Sequence, residues 1–234
     1  MILFVMQQNS SALKTLYHLP LSPQCRKVRT VLAEKRINFQ LHEEKIWERR
    51  RDFLRLNPAG EVPVFVDSNN LVVCGADNIS GYLEEIHPDP PLIGETLEQR
   101  VEIRRLVSWF DQKFNDEVTR YLVGEKLMKR IKRIGHPDGQ KIRAGHTNIH
   151  YHLDYIEYLT DTRNWIAGDH FSLADITAAS HLSCVDYIGD VPWEDHERAR
   201  NWYARIKSRK SFRHLLDDYI SGSAPASHYA DIDF

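Results

Sequence analysis

Hydrophobic and polar positions follow two different periods along the chain, and the change between them falls near residue 87. Short β-prone segments fill the first part: "TLYHL" (15–19), "NFQLHE" (38–43), "VPVFVD" (62–67) and "NLVVC" (70–74). The last two flank "SNN", which indicates a hairpin. Apolar residues spaced three and four apart predict helices between the strands. The predicted order β-α-β-α-β-β-α is typical of a mixed sheet with helices on its faces.

The helices of this first part have recognisable start and end signals. Ser22 stands at an N-cap position, and Pro23 follows at the first helical turn, where a missing N–H costs nothing. That helix is predicted to run to about Arg36. A shorter helix is predicted over "WERRRDFLRLN" (47–57), before a proline, and a third over "ADNISGYLEEI" (76–86).

Beyond the proline-rich stretch "HPDPPLIG", helical spacing dominates. Long helices are predicted between 97 and 159, a small-residue buried helix over 172–188, and two more helices over about 194–208 and 211–220. Ser172 and Asp175 form a capping-box variant. The final stretch is predicted to be extended and mobile. The predicted organisation is an N-terminal extension (1–12), a first domain (13–87), a linker (88–95), a helical domain (96–220) and a tail (221–234).

Composition narrows the function classes. Hydrophobic residues make up 42% and charged residues 27% of 234 residues, and the net charge of −2 favours neither a nucleic acid nor an anionic membrane as partner. The three cysteines, Cys25, Cys74 and Cys184, are few and odd in number, as in reduced cytosolic proteins. No apolar run approaches the ~20 residues of a membrane span. We therefore expect a cytoplasmic protein without membrane insertion.

The tetrapeptide "SPQC" (22–25) raises the question of chemistry at the start of the first helix. Cys25 is either a small buried residue or a thiol whose pKa the helix N-terminus lowers. A single cysteine without a partner cannot run a dithiol cycle. Ser22 is either a plain N-cap or a hydroxyl that assists a thiolate. Both alternatives for Ser22 remain open at this point.

Three motifs carry a resemblance to a known family: "SPQCRKVR", "NPAGEVPVFVD" and "WIAGDHFSLADI". Together with the element order, they make the chain resemble the glutathione S-transferase (GST) superfamily. The resemblance implies an α/β plus all-α fold, with an N-terminal thioredoxin-like domain (βαβαββα) followed by an all-helical C-terminal domain, and a homodimer. It also implies a cis bond before Pro63. The implied glutathione site comprises Tyr17, Ser22, Val62 and Pro63, with Ser22 as the candidate catalytic residue.

One position departs from that family. Family members usually carry a Glu/Gln-Ser pair where the third helix opens, and these groups hold the γ-glutamyl carboxylate. Here Gly75 and Ala76 occupy the two positions, and Asp77 adds a repelling charge. A lost hydrogen bond to a charged group costs roughly 1.5–3 kcal/mol, or about tenfold to a hundredfold in affinity. We expect that glutathione is not a required cofactor and binds weakly or not at all.

A narrower resemblance concerns "WERRRDFLRLNPAGEVP", "DYIGDVPW", "WYARIKSR" and "HYADIDF". These stretches are similar to an alphaproteobacterial branch of GST-like division proteins that localise with the tubulin-like protein FtsZ. The branch implies binding to FtsZ filaments and a role in constriction. "ERRR" (48–51) is either a contact for an acidic partner or a solvated helix face. The candidate partner-binding residues are Trp47, Arg49, Arg50, Arg51, Asp231 and Phe234.

The sequence therefore predicts two alternative functions: a binding partner of FtsZ, and a glutathione transferase or peroxidase that uses Ser22. Removal of residues 228–234 is expected to weaken partner binding and to leave the folded core intact. The histidines of "HTNIHYH", His146, His150 and His152, are interpreted as a partly solvated helix face, and no metal site is predicted.

Overall fold

The chain folds, in a computed structural model that describes residues 13–232, into a mixed sheet followed by a helical domain. Strands β1 (Thr15–His18), β2 (Gln40–Glu43), β3 (Val64–Val66) and β4 (Val72–Cys74) lie in the order β2-β1-β3-β4. β1 is parallel to β2 and antiparallel to β3, and β3 and β4 form the predicted hairpin. The predicted sheet is confirmed. Strand β2 is exposed along its whole length because it lies at the sheet edge.

Three helices complete the first domain: α1 (Pro23–Glu34), α2 (Arg51–Leu56) and α3 (Ala76–Ile86). Helix α2 is shorter than the helix predicted over 47–57. Residues Ile46–Glu48 form a 3₁₀ turn, and Arg49 then takes a φ of +47°, a left-handed conformation that no α-helix can continue through. The charged run "ERRR" thus spans a turn and a helix start.

Helix α1 is buried on all sides, between the sheet and the helical domain. Its cationic residues are buried as well as its apolar ones. Arg29 donates two hydrogen bonds to Asp218, at 2.7 and 2.9 Å. Lys27 Nζ lies 2.7 Å from an Asp111 carboxylate oxygen. Since an unpaired buried charge is costly, these pairs fix how the two domains meet.

The helical domain begins after a linker that contains a cis Asp89–Pro90 bond. A long helix runs from Leu97 to Lys132 and widens twice into π-type turns. The second predicted terminal helix, over 211–220, is wrong beyond its first turn, because non-helical turns follow Arg213. The helical segments are α4 (Leu97–Ser108), π turns Trp109–Thr119, α5 (Arg120–Val123), π turns Gly124–Met128, α6 (Lys129–Lys132), α7 (Gly139–Asp161), α8 (Leu173–Tyr187), α9 (Glu197–Lys207) and α10 (Lys210–Arg213).

Helix α8 forms the centre of this domain, and every one of its residues is buried. Ser172 and Asp175 form the predicted capping box. Asp175 also accepts hydrogen bonds from the backbone N–H of Ile166 and from Trp202 Nε1, both at 3.0 Å. Burial raises the pKa of Asp175 to about 6, while these hydrogen bonds act in the opposite direction. Among the helices of residues 13–232, none is both long and apolar enough to cross a membrane.

The C-terminal stretch packs against α8, which corrects the prediction of a mobile tail. The backbone N–H of Ala226 donates to the carbonyl of Tyr187 at 2.9 Å, and the Tyr187 hydroxyl donates to the carbonyl of Ser223 at 2.6 Å. The Tyr229 side chain is fully buried. Aromatic and hydrogen-bonding side chains supply the anchors that a terminal segment otherwise lacks.

Candidate functional site

A cleft of about 1320 Å³ opens between the two domains. The first domain contributes the start of α1 at Ser22, the 3₁₀ turn with Trp47, and Val62. The helical domain contributes residues between Thr119 and Arg133, and residues 219–222 complete the lining. Cationic lining side chains outnumber anionic ones, five to three: Lys45, Arg120, Arg130, Lys132 and Arg133 against Glu43, Glu48 and Glu61. The cleft therefore favours a ligand or peptide with acidic groups.

Ser22 lines this cleft as the N-cap of α1. Its backbone is extended, and its Oγ accepts a hydrogen bond from the backbone N–H of Cys25 at 3.4 Å. Pro23 follows in the first turn, as predicted. A hydroxyl that accepts one hydrogen bond still has its own proton to donate. The capping role and the thiolate-assisting role are therefore chemically compatible.

Cys25 is buried behind Ser22. The backbone N–H of Leu19 donates to its Sγ at 3.4 Å. Burial raises the pKa of the Cys25 thiol to about 11, and the contacts with Ser22 and Leu19 only partly oppose that rise. A thiol in this state is neither nucleophilic nor accessible, so Cys25 is a packing residue.

The remaining residues of the implied glutathione site are divided between the cleft and the sheet. The Val62–Pro63 bond is cis, and Val62 lines the cleft. Tyr17 is not among the lining residues. Its ring instead packs against His42 and Phe53, with ring centroids 4.8 and 5.7 Å away. The structure thus brings Ser22 and Val62 together and directs Tyr17 into side-chain packing.

The start of α3 lacks the polar groups that the family uses there. Gly75 has a φ of +86°, and its N–H donates to the Pro63 carbonyl at 3.0 Å. Ala76 is buried and offers only a methyl group. Asp77 Oδ1 accepts a hydrogen bond from Lys27 Nζ at 2.6 Å, which offsets part of its charge. No side chain at positions 75 and 76 can donate a hydrogen bond to a ligand carboxylate.

The predicted partner-binding residues of the first domain differ in their surroundings. Trp47 is half-buried at the cleft, whereas Arg49 and Arg51 are exposed. Arg50 is exposed too, but its guanidinium pairs with the fully buried carboxylate of Glu44 at 2.5 Å. Only Trp47, Arg49 and Arg51 are therefore available without breaking an internal ion pair.

The predicted residues of the C-terminal stretch also differ. Asp231 is exposed, and Phe234 lies outside the described residues. Tyr229, an aromatic of the "HYADIDF" stretch, accepts a hydrogen bond from buried Arg26 at 2.8 Å and donates one to the carbonyl of Leu215 at 3.1 Å. Removal of residues 228–234 would take away this anchor. The expectation that the deletion leaves the core intact is therefore corrected.

The sequence did not predict a buried polar network that lies behind the cleft. Lys27, Asp111 and His181 connect α1 with the helical domain, and His181 Nε2 lies 3.2 Å from Asp111 Oδ1. Burial acts to raise the pKa of Asp111, but His181 and Lys27 outweigh it and hold that pKa at about 2. These contacts join residues more than 60 positions apart, so no local sequence pattern predicts them.

The three histidines of α7 do not form one group. His152 is fully buried between Trp109 and Glu117, which corrects the solvated interpretation. Burial lowers its pKa to about 4. His146 lies near Asp190, and His150 contacts His196, which precedes α9.

Comparisons with known proteins agree with this architecture. The family model described as "Glutathione S-transferase, N-terminal domain" matches residues 16–91, and "Glutathione S-transferase, C-terminal domain" matches residues 139–205. The chain belongs to the glutathione S-transferase family. The resemblance and the fold predicted from the sequence are confirmed.

Individual relatives show which members of the family this chain is most similar to among those compared. FtsZ-localized protein A of Caulobacter vibrioides is 47% identical over 224 residues, which cover 94% of this chain and 98% of the relative. The structure of FzlA from C. crescentus matches with a TM-score of 0.92 and 46% identity, over 95% of this chain and all of that chain. A glutathione S-transferase structure from Rhodospirillum rubrum F11 matches with a TM-score of 0.93 and 54% identity, over the same shares. The narrower resemblance to FtsZ-localised proteins is thereby confirmed as a similarity.

Proposed function

We propose that this GST-family protein acts in the cytoplasm as a binding partner of FtsZ filaments during constriction, and that it does so without needing glutathione. The observation that carries the proposal is the 47% identity, over nearly the whole chain, with a protein named for its localisation with FtsZ.

The mouth of the cleft supports this proposal. Trp47 is half-buried there, so part of its side chain is accessible to a partner. Tryptophan and arginine contribute most to protein interfaces. Arg130, Lys132 and Arg133 supply cations across the cleft, near the C-terminal end of α6. An acidic segment of a filament subunit fits this combination.

Glutathione affinity provides an independent prediction. We expect a dissociation constant above about 0.1 mM by calorimetry, because Gly75 and Ala76 replace the groups that hold the γ-glutamyl carboxylate. Ala76→Ser should raise affinity for glutathione about tenfold if the rest of the site is competent. The positive φ of Gly75 makes Gly75→Glu a strained change, so the single variant is the cleaner test. Wild-type binding below 0.1 mM would contradict the proposal.

A transferase or peroxidase remains the second candidate, favoured by one observation. Ser22 Oγ lies on the cleft beside Val62 and has a proton to donate. In that case Ser22→Ala should abolish conjugation of glutathione to an electrophile such as chlorodinitrobenzene. Wild-type protein with no such activity would remove this candidate.

The homodimer implied by the family is also a proposal. Large apolar side chains are exposed at Leu71 before β4, at Ile86 at the end of α3, and at Leu97 and Val101 on α4. The first two belong to the first domain and the last two to the helical domain. That distribution fits packing of the first domain of one subunit against the second domain of the other. Light scattering that gave a monomer at micromolar concentration would contradict it.

The direct test of the main proposal is co-sedimentation with preformed FtsZ filaments. Wild-type protein should pellet with filaments in a saturable manner and stay in the supernatant without them. Absence of co-pelleting, together with measurable glutathione conjugation, would favour the transferase.

A further inference from the structure

A cluster of possible metal ligands lies where α7 meets the start of α9, away from the residues that line the cleft. His150, Asp154 and Glu157 are spaced four and three residues apart on α7, so they form one stripe along the helix. This stripe faces His196, the residue that precedes α9. Side-chain atoms of Asp154, Glu157 and His196 all lie within 4.8 Å of one another.

The imidazole of His196 is directed into this cluster. The residue is 5% exposed. Its Nδ1 lies 3.4 Å from Asp154 Oδ1 and 3.8 Å from Glu157 Oε2. Neither oxygen is placed to accept a hydrogen bond from that nitrogen, which has no hydrogen-bond partner within the described chain. A buried ring nitrogen beside two carboxylates favours positive charge at this point, supplied either by the ring's own proton or by a metal ion.

The other nitrogen of the same ring is already engaged. His196 Nε2 lies 2.9 Å from His150 Nδ1, which is a hydrogen-bond distance. If His196 donates here, its Nδ1 carries a lone pair that points towards the two carboxylates. Histidines that bind metals commonly use their second nitrogen in this way, and the hydrogen bond fixes the tautomer.

Glu157 can serve two purposes with its two oxygens. Oε1 accepts hydrogen bonds from the backbone N–H groups of Arg198 and Ala199, at 3.0 and 3.4 Å, and so caps the start of α9. Oε2 is the oxygen that faces His196. The nearby Arg198 guanidinium pairs with Asp161 and does not fill the space between the ligands.

We propose that His196 Nδ1, Asp154 and Glu157 bind a divalent transition-metal ion of the zinc type, with water at the fourth position. In a tetrahedral site with ligand distances of ~2.1 Å, neighbouring ligand atoms are about 3.4 Å apart. The nitrogen-to-oxygen distances of 3.4 and 3.8 Å are close to this value. Imidazole nitrogen and carboxylate oxygen are both ligand types that Zn²⁺ takes in proteins. The ion connects α7 with the start of α9.

Zinc binding to the full-length protein tests the proposal. Equilibrium dialysis with zinc chloride alone should give one ion per chain, with a dissociation constant below about 10 µM. Co²⁺ in its place should show the visible absorption of a tetrahedral ion. Asp154→Asn should weaken binding at least about tenfold and leave folding unchanged, because the Asp154 side chain is 68% exposed. His196→Gln should abolish binding.

His136→Gln is the matched control, since His136 is an exposed histidine outside this cluster. It should bind zinc as the wild type does. Wild-type protein that binds no zinc at 100 µM would overturn the proposal. Binding that survives both Asp154→Asn and His196→Gln would overturn it equally.

Discussion

Two segments predicted to bind a partner turn out to be built differently. The cleft-mouth segment (residues 45–51) carries half-buried Trp47 on a 3₁₀ turn, with exposed arginines at positions 49–51 after it. The C-terminal segment (residues 220–232) is fixed by buried Tyr229 and by hydrogen bonds to Tyr187. The aromatic side chain is partly accessible at the cleft in one segment and is a buried anchor in the other. The comparison teaches that an aromatic in a terminal stretch is not by itself an exposed contact.

The largest expected effect concerns the anchor of the C-terminal segment. Tyr229→Ala should lower the free energy of unfolding by about 3–5 kcal/mol, because it opens a cavity and removes a partner of buried Arg26. Tyr229→Phe removes only the hydroxyl and should cost about 1–2 kcal/mol. Urea denaturation followed by circular dichroism measures both. A change below 1 kcal/mol for the alanine variant would show that the segment is not anchored.

Alanine variants of two arginines in the cleft-mouth segment distinguish a role in stability from a role at the surface. Arg50→Ala should lower the urea midpoint of unfolding measurably, because Glu44 is fully buried and loses its partner. Partial exposure of Arg50 screens the pair and keeps the loss moderate. Arg49→Ala should stay within about 0.5 kcal/mol. Equal stabilities of the two variants in the same denaturation experiment would refute this distinction.

The smallest effect is a pH dependence of the C-terminal segment. The hydrogen bond to Asp186 raises the pKa of His228 above its ordinary value, although Lys207 acts against that rise. The resulting stabilisation is fully present below about pH 6.5 and is lost as pH rises through the higher folded pKa.

Hydrogen exchange measures this effect at the amide of Ala226, which donates to Tyr187 of α8, and at the amides of Tyr229 and Asp231, which donate within the segment. After correction for intrinsic exchange rates, the opening equilibrium constant of the segment should be roughly threefold larger at pH 8 than at pH 6. His228→Gln should remove the difference. An unchanged pH dependence in that variant would assign it to another group.

The first domain could be predicted largely from local signals. The N-cap at Ser22, the two-stranded hairpin and the helix over 76–86 follow from residues close in sequence. The 3₁₀ turn at Trp47 was missed because the apolar spacing of "WERRRDFLRLN" fits a helix equally well. The spacing of apolar residues does not show that Arg49 adopts a left-handed backbone conformation.

The buried charges could not be predicted for a different reason. Arg26, Lys27 and Arg29 resemble a solvated helix face, and the side chains that pair with them lie 50 or more residues away. Tyr229 is buried where Arg26, Tyr187 and Leu215 meet it. Such pairs are determined by how two domains pack, and a single sequence does not contain that information in any local pattern.

The most direct test of the central claim is co-sedimentation of Trp47→Ala with FtsZ filaments, beside wild type and Tyr229→Phe. The claim is that the cleft mouth binds the filament, while the C-terminal segment chiefly holds the fold. It predicts that Trp47→Ala loses about tenfold or more in affinity at an unchanged thermal midpoint, and that Tyr229→Phe pellets as the wild type does. Wild-type affinity in Trp47→Ala, or no pelleting of the wild type, would contradict the claim.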